Sequence, residues 1–427
     1  MAKSKFERLP GFRDFPPEEL VAVKHIFDAW RAVSDRYGFT EYGGPPLELL
    51  DLYVEKSGPE IVNQLYNFED KGQREVSLRP EMTPSLARIL AGRHRAMSKP
   101  IRWFSIPQLF RYERQQKGRL REHFQWNVDI VGEEGVNADV EVLAVGLDGL
   151  RELGLTHKDI VARVSDRKLM AEIFLVVGVL PEFIPQVFSI IDKMERAKVD
   201  HSMDRLCSEA NLTREIAENI WEICQENELE NFQKEFKNYK PVIERLENLD
   251  RYMEALKAMG LGPYVEFDAK IVRGLAYYTG IVFEIFDRDG ALRAICGGGR
   301  YDRLLELVGG DSIPAVGFGM GDVVIGELLS MKNLNRTELD KVDIFIVILE
   351  EDQRSLALKI AHQKRAEGVR VLYSLKSDSL RKQLEMASKA GAHQAIILAP
   401  KELEQNLVLV KDLQSGAQQE VRLDEFV

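Results

Sequence analysis

The sequence has few cysteines and no long hydrophobic run. Its 427 residues include three cysteines, which form no CxxC pair and no metal-ligand spacing with the seven histidines. A disulfide framework is therefore not expected, and a reducing compartment such as the cytoplasm is favoured. No stretch approaches the roughly 18 apolar residues of a membrane span, and the N-terminus lacks the apolar segment of a secretory signal, so we expect no membrane partner.

An excess of basic residues is also missing. Lysine and arginine number 58 against 69 aspartates and glutamates, which gives a formal net charge of -11. This balance argues against a protein that coats nucleic acid without specificity. A local basic segment exists nevertheless, and it comprises Arg102, Arg111, Arg114, Lys117, Arg119 and Arg121. It is either a solvated surface or a contact for nucleic-acid phosphates.

Several nucleotide-binding and catalytic motifs are lacking. The sequence contains no GxxxxGK[ST], no GxGxxG within a strand–turn–helix unit, no HExxH and no GxSxG. A P-loop or Rossmann site is therefore disfavoured. Two glycine-rich segments, CGGGRYD at 296–302 and GFGMG at 317–321, would let a backbone approach a nucleotide, but glycine runs alone are weak evidence.

The length suggests two or three domains. Two prolines at 16–17, apolar residues at helical spacing and Gly38 predict an N-terminal helix. Short segments rich in aromatic and β-branched residues follow, so we predict an α+β domain on an antiparallel sheet over residues 1–330. A helical insertion is expected at about 181–260. After a polar linker at 331–341, alternating strands and helices predict an α/β domain over 342–427 with a largely parallel sheet.

The segment LRPEMTPSLARIL, residues 78–90, offers a carboxylate and a hydroxyl two positions apart. On a strand or turn, Glu81 and Thr83 would point the same way and suit an ammonium group, which needs acceptors only. The alternative is that Thr83 caps the helix that follows.

The segment FRYERQQKGRLREHFQWNVDIVG, residues 110–132, predicts a long hairpin around a charged loop. Arg111 and Glu113 would share one strand face, and Gln125, Asn127 and Asp129 would share a face of the return strand. An arginine there could bind a phosphate or carboxylate with two hydrogen bonds. The alternative is an ordinary wet face of the sheet.

The segment VRGLAYYTGIVFEIF, residues 272–286, places an arginine and two tyrosines beside glycines. Tyr277 and Tyr278 could flank a planar ligand and offer hydroxyls, with Arg273 nearby. A sheet aromatic pair with a solvated arginine is the structural alternative, and spacing alone does not decide between them.

In order, spacing and content these segments resemble those of histidyl-tRNA synthetases, which are class II aminoacyl-tRNA synthetases. LPGFRDFPPEE resembles the family's opening, and Pro45 falls where motif 1 has a proline. LRPEMT is similar to the family's RPEGT, 110–132 to motif 2, VRGLAYYTGIVFE and ICGGGRYD to the two histidine-specific motifs, and AVGFGMGDVVIGELL to motif 3. The terminal α/β unit resembles the anticodon-binding domain. AYYTG together with GFGMGD resembles a branch that includes plant organellar enzymes.

The resemblance implies that L-histidine is activated with ATP to histidyl-adenylate and passed to the 3′ end of histidine tRNA, with Mg²⁺ on the phosphates. Arg111 and Arg273 would be catalytic at the α-phosphate, and Glu113 would meet the adenine region. Histidine would be held by Glu81, Thr83, Gln125, Asp129, Tyr277 and Tyr278. The motif 2 loop, with Arg114, Lys117 and Arg119, would lie near the acceptor stem. A homodimer is expected because motif 1 pairs across a two-fold axis in this class.

The sequence departs from the family pattern at four places. Met82 replaces a glycine, Asp129 a glutamate and Ala276 an aspartate. Motif 3 normally ends in Gly-x-Glu-Arg, whose arginine binds the ATP γ-phosphate, whereas Val323 and Val324 stand here.

Arg303, where the family usually has glycine, is our hypothesis for the missing charge. An Arg303→Ala variant with an unchanged KM for ATP would reject it.

Two other classes of function remain open at this point. The lost motif 3 arginine is compatible with the non-catalytic, histidine-sensing regulatory subunit of ATP phosphoribosyltransferase. The retained arginines and tyrosines and the terminal α/β domain favour a synthetase. A translation-control module on the same fold would need a kinase or effector domain, for which the sequence offers no candidate.

Overall fold

The structure is a computed structural model that describes residues 6–57, 59–112, 118, 120–194, 199–273, 277–339 and 341–426. The chain divides between Thr337 and Glu338 into two compact units. No helix among the described ranges is both long and apolar enough to cross a bilayer.

The first unit is built on a nine-stranded sheet, counted over the described residues, and a small three-stranded sheet. Its strands are β1 (Thr40–Glu41), β2 (Leu47–Leu49), β3 (Asn67–Glu69), β4 (Glu75–Leu78), β5 (Ile101–Ser105), β6 (Gln108–Phe110), β7 (Glu122–Val131), β8 (Ile160–Asp166), β9 (Val265–Phe267), β10 (Ile281–Asp287), β11 (Cys296–Arg300) and β12 (Ala315–Gly321). The large sheet has the order β1-β5-β7-β12-β11-β10-β8-β9, and β6 pairs with β7. Its central pairs are antiparallel, as predicted, and only the β1–β5 and β8–β9 pairs at its edges are parallel within the described chain.

The helices of this unit include the N-terminal helix that the sequence predicts. They are α1 (Pro17–Arg36), α2 (Asp51–Ser57), α3 (Thr83–Ala91), α4 (Val136–Glu152), α5 (Arg167–Val176), α6 (Ile184–Ile191), α7 (Val199–Glu209), α8 (Arg214–Gln225), α9 (Leu229–Glu235), α10 (Lys240–Ala258) and α11 (Asp322–Met331). Helices α6 to α10 fall within the segment that the sequence predicts as helical.

The side chains of strand β7 point alternately to the two faces of the large sheet. Trp126, Val128 and Ile130 point into the main core, where the Trp126 ring stacks on Trp30 of α1 with centroids 5.8 Å apart. The intervening polar residues therefore point to the opposite face, because side chains alternate along a strand. That polar face carries the candidate site.

Over residues 341–426, the second unit is a five-stranded sheet with helices. Its strands are β13 (Ile344–Ile348), β14 (Val371–Tyr373), β15 (Gln394–Leu398), β16 (Leu407–Asp412) and β17 (Gln418–Arg422), and its helices are α12 (Arg354–Ala366), α13 (Leu380–Lys389) and α14 (Pro400–Leu403). Only β13–β14 and β13–β15 are parallel among the described pairs, whereas β15–β16 and β16–β17 are antiparallel. The prediction of a largely parallel sheet is therefore wrong for half of it. A turn at Gly416, with a φ of 75°, reverses the chain into a hairpin that the apolar pattern of β16 does not reveal.

Candidate active site

The predicted hairpin forms and carries the motif 2 segment. Phe110 of β6 pairs with Glu122 of β7, and the Arg111 backbone N–H donates to the Arg121 carbonyl oxygen at 2.8 Å. The Arg111 guanidinium Nε donates to the carbonyl oxygen of Pro80 at 3.1 Å. This contact joins the hairpin to the segment that contains Glu81. The predicted residues Glu113, Arg114, Lys117 and Arg119 lie outside the described part of the chain.

Glycines form the floor of the polar face. A methyl group at Gly297 of β11 would lie 2.5 Å from the Arg273 guanidinium, and one at Gly319 of β12 would lie 2.8 Å from the Gln125 side chain. Side chains at these positions would fill the space between the strands and the polar groups. Because these strand positions carry no side chain, a ligand can approach the backbone of β11 and β12 closely.

Arg273 is held in place from several sides. Its backbone has a φ of 55°, and Arg167 donates to its carbonyl oxygen at 2.5 Å. Its guanidinium pairs with Glu284 and lies 5.7 Å from the Tyr278 ring centroid. Burial alone would lower the pKa of Arg273, but Tyr278 and Glu284 raise it, so the group stays charged. Its buried Nε–H has no hydrogen-bond partner in the described structure, which leaves a donor for a ligand oxygen.

Asp129 lies beside a cluster of three tyrosines. The Tyr277 and Tyr278 rings are 4.7 Å apart, and Tyr301 meets Tyr277 edge-to-face at 5.9 Å. The Tyr301 hydroxyl donates to the Asp129 carboxylate. Burial raises the pKa of Asp129 to about 7 despite this hydrogen bond. Burial also raises the pKa of Tyr277, and the Glu81 carboxylate raises it further. Four predicted histidine-binding residues are thereby brought together.

A cavity of about 520 Å³ adjoins this cluster on the same sheet face. Arg111, Gln125 and Arg273 line it, together with Lys270 and Arg293. Its volume is that of an ordinary small-molecule site, and its cationic lining suits an anionic ligand.

Two further predicted residues are Arg303 and Thr83. Arg303 is exposed and does not border the described cavity, so its predicted contact with the ATP γ-phosphate gains no support. Thr83 is the first residue of α3, whose N-cap Met82 makes no side-chain capping hydrogen bond, so capping by Thr83 is not observed.

Asp322, next to the motif 3 departure, and Met82 are both buried. Asp322, the first residue of α11, accepts from the Arg13 guanidinium at 2.8 Å and from the Phe124 backbone N–H at 2.8 Å. Arg13 also donates to Glu122 at 2.6 Å, which ties the N-terminal segment to the hairpin. Met82 is fully buried, so its side chain packs in the interior.

Sequence reasoning missed Tyr301, Arg293 and the Arg13–Asp322 pair. Tyr301 belongs to the ICGGGRYD segment, which resembles the second histidine-specific motif, and an aromatic residue beside its glycine run could have indicated it. Arg293 lies in a connection between strands without a motif of its own. The partners Arg13 and Asp322 are too far apart in sequence to be paired by any local pattern.

No group of three or more His, Cys, Asp or Glu side chains among the described residues could hold a metal ion.

Comparisons with known proteins agree with this fold. A family model described as histidyl-tRNA synthetase matches residues 11–321, and one described as anticodon binding domain matches residues 343–427. The histidine–tRNA ligase of Opitutus terrae is 41% identical over 418 residues, which is 97% of this chain and 96% of that protein. The chloroplastic/mitochondrial histidine–tRNA ligase of Arabidopsis thaliana is 40% identical over 416 residues, 97% of this chain and 85% of that protein.

A solved histidyl-tRNA synthetase from Nostoc sp. PCC 7120 has the same fold, with a TM-score of 0.82 at 24% identity over 99% of this chain and 98% of that chain. The fold is thus that of a class II aminoacyl-tRNA synthetase catalytic domain followed by an anticodon-binding domain. The chain belongs to the histidyl-tRNA synthetase family, and its activity is that of a histidine–tRNA ligase. The anticodon-binding domain at 343–427 favours this activity over the regulatory subunit of ATP phosphoribosyltransferase.

Proposed function

We propose that the cavity binds ATP and that the adjoining tyrosine cluster binds L-histidine. One observation carries the proposal: Arg111 and Arg273 line the same cavity, and Asp129 lies on the same face of the sheet. Cations then face the phosphates while carboxylates face the ammonium and imidazole. This is the charge pattern that the two substrates require.

Adenylation needs a carboxylate oxygen of histidine to attack the α-phosphorus of ATP. A new P–O bond forms as the bond to the bridging oxygen breaks, and pyrophosphate leaves with the electron pair. Arg273 bridges the histidine carboxylate and the α-phosphate, and Arg111 binds the α-phosphate. Fixed positive charge of this kind stabilises the anionic transition state without rearrangement. Mg²⁺ held by the ATP phosphates would neutralise part of their charge, and Glu113 meets the adenine.

Histidine is recognised by hydrogen-bond acceptors and by tyrosine rings that surround its imidazole. Glu81 and Thr83 accept from the ammonium group, and Asp129 and Gln125 reach the imidazole side. Tyr277 and Tyr278 enclose the ring. Support comes from the proximity of Glu81 to Tyr277 and from the burial of Asp129 beside Tyr301.

Transfer to tRNA uses parts of the molecule outside this cavity. Arg114, Lys117 and Arg119 of the motif 2 loop meet the acceptor-stem phosphates, and the second unit binds the anticodon of histidine tRNA. The basic character of the loop supports the first contact, and the family match of residues 343–427 supports the second.

A homodimer forms through the small sheet β2-β4-β3. Pro45 lies just before β2, and three apolar side chains of this sheet are exposed, Leu47 at 37%, Leu49 at 55% and Phe68 at 52%. Burial of such residues against a second copy would stabilise the dimer. A cytoplasmic location is supported by three free cysteines.

The affinity for histidine should depend on the ionisation of Asp129. Because its pKa is raised to about 7, the carboxyl is neutral below that pH and loses its attraction for a cationic ligand. We expect the KM for histidine to rise up to about tenfold per pH unit below pH 7. In the free enzyme the same shift removes stability as the pH rises from about 4 to about 7.

The measurement is the KM for histidine from pH 5.5 to 8.5 in wild type and in Asp129→Asn. The substrate imidazole titrates in the same pH range in both experiments, and the difference between the two profiles isolates the contribution of the Asp129 carboxyl. The two KM values should converge as the pH falls below 7. Parallel profiles would show that Asp129 does not bind histidine.

The proposed function is tested by histidine-dependent ATP–pyrophosphate exchange followed by charging of histidine tRNA. We expect exchange that requires histidine and a charged tRNA product. Absence of exchange in correctly folded protein would contradict the proposal and favour a histidine-sensing regulator.

A further inference from the structure

The cavity has an apolar corner where the γ-phosphate of ATP needs a cation. Val323 and Val324, at the start of α11, both line it. Val324 occupies the motif 3 position of the family arginine. A triphosphate bound by Arg111 and Arg273 at its α-phosphate would leave its far end against these valines. Anionic oxygens there would be desolvated without a partner, which is costly.

Arg293 lies at this corner. It borders the same cavity, on the connection that leads from β10 into β11. A methyl group built at Gly118 would lie 3.5 Å from Val324 Cγ2 and 3.8 Å from Arg293 Cδ. The two side chains therefore converge on one point of the hairpin loop. A motif 3 arginine at position 324 would extend into this corner from α11. Arg293 approaches the same corner from the connection between β10 and β11.

Two other cations are less well placed. Arg303 is exposed and absent from the described cavity wall. Lys270 borders the cavity, but it also borders a cleft lined by Glu266 and Asp268. Arginine is the better match for a terminal phosphate, because its planar guanidinium donates two parallel hydrogen bonds to one anion.

We propose that Arg293 binds the β- and γ-phosphates of ATP and replaces the arginine missing at position 324. This inference rests on the proposed function of the cavity. When the α-phosphorus is attacked, the bond to pyrophosphate breaks and negative charge grows on the leaving group. Arg293 stabilises that charge, so it contributes both to ATP binding and to the rate of adenylation.

The test is histidine-dependent pyrophosphate exchange by Arg293→Ala. We expect kcat/KM for ATP to fall roughly 100-fold while the KM for histidine is unchanged. In the reverse reaction, from histidyl-adenylate, the KM for pyrophosphate should rise. Arg251→Ala, which removes an exposed arginine of α10, is the matched control and should leave all three constants unchanged.

A second variant separates charge from structure. Arg293→Ala combined with Val324→Arg returns a guanidinium to the same corner from the helix side and should recover at least about tenfold of the lost activity. An active Arg293→Ala enzyme with wild-type constants would overturn the inference. So would failure of the double variant to recover, or a loss confined to Arg303→Ala or Lys270→Ala. Absence of exchange in the wild type would instead overturn the proposed function.

Discussion

Replacement of Arg273 by alanine should lower kcat for histidine-dependent exchange roughly 1000-fold. Arg273 lies between the cavity and the tyrosine cluster. Its guanidinium borders the cavity and is 5.7 Å from the Tyr278 ring centroid. Its Nε–H is buried without a partner in the described structure. An unpaired buried donor is costly unless a ligand completes it, so the free enzyme carries a donor prepared for the substrate.

Arg273→Lys distinguishes geometry from charge. Lysine keeps the charge but cannot pair with Glu284 and present a second, fixed donor to the phosphate. We expect a loss of roughly 100-fold, with an unfolding transition close to that of wild type. Rapid-quench measurement of adenylate formation gives the rate directly. Activity of Arg273→Ala within a few-fold of wild type would remove Arg273 from the site.

Alanine substitutions at two neighbouring glycines should have different effects, one on stability and one on activity. Gly298 of β11 faces the main core, where a methyl group would lie 2.5 Å from the Gly317 carbonyl oxygen and 2.7 Å from the Phe283 ring. Backbone cannot yield without disturbing the sheet, so Gly298→Ala should destabilise the protein by roughly 3 kcal/mol. Gly297 faces the cavity, where a methyl group would displace the Arg273 guanidinium. Gly297→Ala should therefore lower kcat/KM roughly 100-fold.

Chemical unfolding and exchange kinetics on both variants measure the two effects. Gly326→Ala in α11 is the matched control, since no atom lies within 4 Å of its added methyl group. It should leave activity unchanged. Equal loss of stability at Gly297 and Gly298 would contradict the assignment of the two faces.

Much of the fold could be predicted from local pattern. The first helix, the hairpin and the alternation of β7 follow from periodicity and turn residues, because these depend on neighbours in sequence. The direction of β16 could not be predicted, because its run of apolar residues is the pattern typical of a parallel strand. Strand β17 is polar and mostly exposed, so it has no apolar pattern from which it could be predicted.

The candidate site was predictable where a motif carries it. Arg111, Asp129 and Arg273 could be proposed for the site because each stands in a recognisable segment, and the structure places them on one face of the sheet. Arg293 was not found, because its role depends on the proximity of a strand connection to a helix about thirty residues later, which only folding creates. The Arg303 hypothesis drew on sequence position alone, and it stays a prediction that the Arg303→Ala variant tests.

A crystal structure of the full chain with ATP and histidinol tests the account most directly. Histidinol lacks the carboxylate, so both ligands should remain unreacted. We predict the α-phosphate between Arg111 and Arg273, the terminal phosphates at Arg293, and the imidazole within hydrogen-bonding distance of Asp129. A triphosphate bound outside this cavity, or an imidazole remote from Asp129 and the tyrosines, would contradict the account.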